Sequence, residues 1–302
     1  MVARHPDTQL SMSTSNSAVP RAGMLATGVN TALAVVPRAA GNLLRWASAL
    51  GPRRRTGLPA VPVGVFAAVA VGIAVIVAAM AALDQPASEW ARQLPEWITG
   101  PADEITNFGL SGRFLYPLGI ILLIVAALVR PSLAAVTQDV LVAVATRTGF
   151  LFIAIAAPSL FDTIVKRLIG RARPYMGEHD NPFLYKPFIW LPEYSSMPSG
   201  HATTAAAAAI AFGAIWPRLR PVMWLYAVLI MLTRVVMNVH HPSDVIAGAL
   251  VGIVGALMVR RWFASRGLLF FPDDLSAYPG PSVRRIARAV REAVALPARS
   301  AG

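Results

Sequence analysis

An all-α, polytopic membrane protein with six transmembrane helices in a bundle is the fold class this sequence predicts, and two observations carry it. Of its 302 residues 56% are hydrophobic and only 14% charged, with a mean hydropathy of +0.56, whereas a soluble domain carries about a quarter charged residues. The apolar residues also gather into six runs, near 60–83, 114–129, 148–165, 202–216, 221–239 and 244–263. A crossing helix needs ~20 mostly apolar residues. The second and fourth runs are short, so their ends are expected to extend into neighbouring polar residues.

Taken in order, residues 1–58 read as a cytoplasmic, partly disordered N-terminal arm. The arm opens on a polar Ser/Thr-rich stretch and lacks the short apolar core of a secretory signal, and Met24 is a candidate alternative start. Residues 59–265 read as the membrane domain, and 266–302 as a cytoplasmic tail. In that tail Val283, Ile286, Ala287, Val290 and Val294 share one helical face, with Arg284, Arg285, Arg288 and Arg291 mostly elsewhere. That pattern predicts an amphipathic helix on the inner membrane surface. The segment 84–113 carries Trp90, Leu94 and Trp97 at helical spacing, which predicts a short interfacial helix used for packing or anchoring. No internal repeat is present.

Six crossings place both termini on one side. Arg38, Arg45, Arg53, Arg54 and Arg55 before the first run, Arg130, Arg218 and Arg220 in the turns, and Arg260, Arg261 and Arg266 after the last all fall on that side. The positive-inside rule makes it cytoplasmic and the protein an inner (cytoplasmic) membrane, multi-pass one. The net charge of +12 therefore points to anionic headgroups as partner and not to nucleic acid. The chain has no cysteine, which excludes thiolate nucleophiles, disulfides and Cys-based metal sites.

The outer segments break the charge rule, with Lys166, Arg167, Arg171, Arg173, Lys186 and Arg234 where cations should be scarce. Three pieces stand out there: KRLIGRARP at 166–174, PSGH at 198–201 and TRVVMNVHHPSD at 233–244. Lys166, Arg173 and Arg234 converging on one pocket would suit a tetrahedral dianion such as phosphate. Taken singly, each cation can instead snorkel to headgroups, although Arg234 lies inside an apolar run where an ionised group is costly. Ser199 and Gly200 before a helix present backbone amides and the positive end of its dipole to an anion; they also fit a plain N-cap. Capping does not call for His201, an imidazole suited to proton donation. His240 and Asp244, four residues apart around Pro242, form either a nucleophile with its orienting acid or a structural hydrogen-bonded pair. The adjacent His240 and His241 lack the second ligand pair of a zinc site.

Together these pieces closely resemble the three-part signature of the type 2 phosphatidic acid phosphatase superfamily, the lipid phosphate phosphatases: Lys-x6-Arg-Pro, Pro-Ser-Gly-His, and Arg-x5-His-x3-Asp. The resemblance spans about residues 60–263 and departs at Thr233, where the family usually has serine; a hydroxyl is retained. It implies that His240 is the nucleophile, forming a phosphohistidine, that Asp244 orients it, and that His201 serves first as general acid and then as general base. Lys166, Arg173, Ser199, Gly200 and Arg234 would bind the phosphoryl oxygens, with no metal and no cofactor. The implied activity is hydrolysis of a lipid mono- or diphosphate at the outer face. Candidate substrates are a polyprenyl diphosphate, slightly favoured, phosphatidylglycerophosphate, phosphatidate and a lipid A phosphate. Phosphotransfer to another acceptor is the second reading, and a non-catalytic anionic-lipid binder the third. Asp162, four residues before Lys166, either holds that lysine or makes a weak surface pair. The loop 175–194, with Phe183, Tyr185, Phe188 and Trp190, either covers the site and touches lipid or anchors in the headgroup layer.

Overall fold

The computed structural model describes residues 21–49, 61, 63–176 and 181–295. The polar beginning of the arm, Arg53, Arg54 and Arg55, and the end of the tail lie outside the described residues. Among these, the secondary structure is helical, apart from isolated bridges pairing Arg171 with Tyr185 and Phe270 with Ala277. The helices are α1 (Arg21–Ala49), α2 (Val63–Ala82), α3 (Asp84–Arg92), α4 (Glu96–Thr106), α5 (Ser111–Leu128), α6 (Ala135–Ile169), α7 (Gly200–Ile215), α8 (Arg220–Val236), α9 (Pro242–Ala264) and α10 (Val283–Ala295).

All six apolar runs fall in helices, but among the described residues only five stretches are long and apolar enough to cross a membrane: Val63–Ala82, Glu96–Leu128, Ala135–Ile169, Pro217–Val236 and Pro242–Ala264. The sixth, α7, has 16 residues, about 24 Å at 1.5 Å per residue against a hydrocarbon core of about 30 Å. It sits at the centre of the bundle, packed by α6, α8 and α9, and is apolar on every face because every face is covered. Ala202, Ala205, Ala206, Ala207, Ala208 and Ala211 are all fully buried. Gly248 and Gly252 of α9, four residues apart, complete the close approach: a Cβ at either would strike an α7 backbone carbonyl, Ser199 O or Thr203 O. Small residues at this spacing let helix backbones meet directly.

Two expectations change. The expected single helix in 84–113 is two, α3 and α4, because the extended Pro95 (φ −73°, ψ 156°) precedes α4 and stops α3 from continuing. Trp90 and Trp97 remain exposed, while the other face of α3 turns Asp84, Ser88 and Ala91 into the protein. Helix α6 begins at Ala135, well before the apolar run near 148, since α10 packs on the extension and Thr137 hydrogen-bonds Glu292. In α10 the buried residues are Ala289 and Ala293, whose size permits contact with α6, and Val283 and Val294 stay exposed. Helix α1 docks on α5 through Asn42, whose amide donates to the Ala126 and Val129 carbonyls at 2.8 and 2.9 Å.

The chain order sorts the connections into two ends. Segments 83–110, 170–199 and 237–241 lie at the end where α7 and α9 begin; 129–134, 216–219 and 265–282 lie at the other. All three polar motifs therefore share one end, the site end. The far end is closed by an aromatic core in which Phe150 packs edge-on against Phe263 and Phe270, centroids 5.4 and 4.8 Å apart.

Candidate active site

Lys166 rides on the last turn of α6, and its ammonium lies 2.7 Å from Asp162 Oδ2. Asp162 is 1% exposed and also accepts from Thr203 Oγ1 of α7 at 3.2 Å, so this is a buried brace between helices and not a weak surface pair. The helix then stops at Gly170 in the left-handed conformation (φ 61°). A side chain there would collide with the Lys186 carbonyl, which leaves glycine as the residue that ends α6 and turns the chain toward Arg171 and Arg173. Arg173 is fixed through its backbone, its amide donating to Glu193 O at 2.8 Å.

Helix α7 starts beside that lysine. A Cβ built on Gly200 would stand 3.1 Å from Lys166 Nζ and 3.2 Å from Asp162 Oδ2, so the ammonium lies over the first turn, whose leading amides have no intrahelical acceptor. Ser199 precedes this turn, yet its hydroxyl makes no capping bond; Oγ is buried without a partner. The plain N-cap reading therefore does not describe this serine. The Ser199 amide instead donates to the Asp244 carbonyl at 2.9 Å, tying the second motif to the third. His201 follows, half-buried, with Arg234, His240, Lys166 and Arg173 as its charged or titratable neighbours.

Arg234 lies in the last turn of α8, 6% exposed, and donates through Nη1 to Thr106 Oγ1 at 2.6 Å. The chain turns at Asn238 (φ 52°) and His240, and Pro242 opens α9. His240 is 3% exposed. Burial pulls its imidazole pKa down to about 4, with Asp244 opposing and Arg234 and Arg173 assisting, so the ring is neutral near pH 7. Its Nδ1 is 3.8 Å from Asp244 Oδ2, facing the carboxylate but beyond hydrogen-bond length.

The three sequence pieces thus come together, and five of their atoms share one property: Arg167 Nε, Arg173 Nε, Ser199 Oγ, Arg234 Nε and His240 Nδ1 are buried without a hydrogen-bond partner. Nε atoms of Arg38 and Arg130, outside these motifs, are orphaned too, so a single orphan decides nothing. What distinguishes Arg173, Ser199 and Arg234 is that they gather with Lys166 about one helix start and His201, whereas Arg167 turns to Leu191 and Ser195 and His240 Nδ1 faces Asp244. Buried polar atoms are normally paired, and donors gathered around a helix N-terminus are arranged to receive an anion. Among the described residues, no group of three His, Cys, Asp or Glu is placed to hold a metal ion.

Sequence reasoning missed the partners that hold this site from behind. Arg171, noted only as an out-of-place cation, is fully buried and bonds Asp244, Ser243 and Asp84. Asp84, Ser88, Thr106 and Ser196 also enter the network. Asp84 lies 87 residues from Arg171 in sequence, and no spacing rule reaches that far. The one available signal was an arginine where cations are scarce, beside an acidic segment facing the same end.

The family model described as the PAP2 superfamily matches residues 147–268. A lipid A 1-phosphatase of Rhizobium johnstonii is 31% identical over 225 residues, 74% of this chain and 91% of that protein. A decaprenylphosphoryl-5-phosphoribose phosphatase of Mycobacterium tuberculosis is 35% identical over 96 residues, 32% of this chain and 50% of that protein. Among solved structures, a PAP2-type phosphatidylglycerolphosphate phosphatase from Bacillus subtilis is similar with a TM-score of 0.43 and 21% identity, covering 63% of this chain and 93% of that one.

Proposed function

The chain belongs to the PAP2 superfamily, and on that premise we propose that it removes phosphate from a membrane lipid through a covalent phosphohistidine at His240. The observation that carries the reading is the convergence of Lys166, Arg173, Arg234, Ser199 and the Gly200 helix start, with four of their and His240's polar atoms buried and unpaired. Neutral His240 turns Nδ1 toward Asp244, which leaves Nε2 as the nucleophilic nitrogen. In the first step an Nε2–P bond forms as the bond from phosphorus to the lipid oxygen breaks, and His201 gives that oxygen its proton. In the second, water attacks phosphorus, the P–N bond breaks, and His201 takes the proton of the water. Asp244 stabilises the imidazolium of the intermediate, the 3.8 Å gap closing as the charge develops. The cations and amides hold the phosphoryl oxygens throughout, which is most of what phosphoryl transfer requires.

Among the candidate substrates, the likeness to a lipid A 1-phosphatase along 91% of its length favours a phosphorylated glycolipid of the lipid A kind over a polyprenyl diphosphate. The site end faces away from the cytoplasm: Arg130, Arg218, Arg220, Arg260, Arg261 and Arg266 all lie at the far end, which the positive-inside rule makes cytoplasmic.

The test is phosphate release in detergent with EDTA present. Lipid A 1-phosphate, undecaprenyl diphosphate, phosphatidylglycerophosphate and phosphatidate are compared between the unmodified protein and His240→Ala. Release that survives EDTA, is fastest with lipid A 1-phosphate and falls by about 10³-fold or more in the variant is expected. A well-folded protein that releases phosphate from none of the four refutes the hydrolytic reading.

A further inference from the structure

Beneath the nucleophile lies a cluster that none of the three sequence pieces contains as a whole. Arg171 is fully buried and bridges two fully buried carboxylates: Nη1 meets Asp244 Oδ1 at 2.6 Å and Nη2 meets Asp84 Oδ2 at 2.7 Å. Its Nε donates to Pro182 O at 3.0 Å, and Nη1 also donates to Ser243 Oγ at 2.7 Å. Asp84 then grips the start of α9, accepting from the Ser243 amide at 3.0 Å and from Ser243 Oγ at 2.6 Å. The second oxygen of Asp244 accepts from Ser196 Oγ at 2.6 Å and from the His241 amide at 2.9 Å. One turn along α3, Ser88 Oγ lies 3.2 Å from Nδ1 of His241. The segment expected to be a mere interfacial anchor therefore reaches residues 241, 243 and 244, directly or through Arg171, all within four positions of His240.

We propose that Asp84 and Arg171 are positioning residues of the phosphoryl transfer, fixing the Asp244 carboxylate and keeping its negative charge available to His240. The inference rests on the phosphohistidine reading above. Its logic is charge balance in a dry place. A guanidinium paired with Asp244 alone would cancel the charge that the phosphohistidine imidazolium needs. With Asp84 as a second anion, the three groups carry one net negative charge. Buried carboxylates and guanidinium require such mutual pairing to remain ionised at all. At low local dielectric a charge a few ångströms behind Asp244 is still felt at the imidazole. The other groups facing His240 are Arg234 from α8, Arg173 from the 170–199 segment and His201 from α7; none of them supplies negative charge. The side-chain hydrogen bonds and ion pair of Asp84 go to Arg171 and Ser243 and not to the phosphate cradle, so the strut acts on the nucleophile and leaves substrate binding to others.

The test uses the full-length protein in detergent and four variants: Asp84→Asn, Asp84→Glu, Ser88→Ala and His240→Ala. In Asp84→Asn, kcat falls about 10- to 100-fold, as for a misplaced catalytic group, while KM and the inhibition constant for inorganic phosphate stay within about twofold. The acid limb of the kcat/KM profile moves down by about half a pH unit, since removing a nearby anion makes His240 harder to protonate. Asp84→Glu returns the limb to its original place by restoring the charge. Ser88→Ala loosens the same helix without changing charge and leaves the limb unmoved. The proposal is overturned if Asp84→Asn turns over like the unmodified protein. It is equally overturned if phosphate affinity and the unfolding temperature collapse together with kcat, which makes Asp84 a folding residue. Turnover persisting in His240→Ala instead removes the phosphohistidine reading itself, a result read independently of the Asp84 variants.

Discussion

The two ends of the helix bundle use the same residue, arginine, in opposite ways. At the far end Arg147 donates to Tyr278 O at 2.7 Å, Arg220 to Gly213 O at 3.0 Å, and Arg260 to Leu275 O at 3.0 Å. Each closes a neighbouring carbonyl: Arg147 and Arg260 tie the 265–282 connection to a helix, and Arg220 ties α8 to α7. At the site end Arg173 and Arg234 keep a buried Nε unpaired, and Arg171 is spent on two carboxylates. One end is built mainly from satisfied polar groups over an aromatic core, Arg130 Nε being an exception. The other holds donors in reserve, a state that costs folding free energy and persists where function requires it.

The largest expected effect breaks this contrast directly. Arg234→Ala should lower kcat/KM by about 10²- to 10³-fold, the scale of losing a transition-state donor, with little loss of stability. Arg260→Ala should do the reverse, lowering the unfolding temperature while leaving kcat/KM within about threefold, as for a change remote from the reacting groups. Steady-state kinetics and detergent thermal unfolding on the same two preparations decide it. A loss of turnover in Arg260→Ala that matches the one in Arg234→Ala would erase the division between the ends.

Next in size come the packing predictions. Phe150, fully buried between Phe263 and Phe270, should cost about 3–5 kcal/mol when truncated to alanine, with kcat preserved below the unfolding transition. Gly252→Leu should be worse placed, since even a Cβ strikes the Thr203 carbonyl and the α7 backbone cannot move aside. There, folded yield and turnover fall together, because α7 carries Ser199 and His201 at its start. Comparing the two variants asks whether the core transmits damage to the site by distance or by which helix is displaced.

These contrasts also explain what the sequence could disclose. Local spacing marked the candidate site: Lys166 to Arg173, Ser199 with His201, and His240 to Asp244 are each short-range patterns, and the folded chain brings all three to one end. Composition disclosed the membrane helices, because lipid demands long apolar runs. Helix lengths were less legible. The extension of α6 below residue 148 is held by α10, and the division of α3 from α4 depends on Pro95, neither of which hydropathy registers. Least legible was the Asp84–Arg171–Asp244 cluster, whose partners are separated by 87 and 73 residues. Its members looked like loop charges until the fold buried them.

Acid titration sharpens the comparison more gently. With His240 held down to about 4 by burial against an ordinary 6.5, the proposed nucleophile stays neutral across the physiological range. On the acid side turnover should therefore decline only as pH falls through about 4 to 5, while the basic limb belongs to the proton that His201 must hold. Stability follows the same sign: the unfolded chain binds a proton at this histidine that the folded protein refuses. The folded state loses ground as pH drops from 6.5 toward 4 and keeps its full advantage above 6.5. A kcat/KM profile with its acid midpoint near 6.5 would show that the group that must be neutral is not an imidazole held down by burial.

The smallest effect is expected at the rim of the site. Trp190 and Phe188 are 77% and 76% exposed on the 170–199 connection. Trp190 is held by Arg167, whose guanidinium lies 5.4 Å from the ring centroid and also donates to Ser195 Oγ at 2.7 Å. Exposed rings at this end suit contact with lipid headgroups or with the substrate, and kinetics separates the two. If the ring touches substrate, Trp190→Ala raises KM by about two- to fivefold at unchanged kcat, the mark of binding shared by ground and transition states. A short-chain, detergent-soluble lipid phosphate should feel the change as strongly as a long-chain one. If the ring only anchors the loop in the interface, the soluble substrate is unaffected and only the vesicle-embedded lipid is turned over less efficiently. Arg167→Ala removes the ring's support without removing the ring. It should reproduce the Trp190→Ala pattern in weaker form, since a cation–π contact at an exposed site contributes only about 0.5–1 kcal/mol.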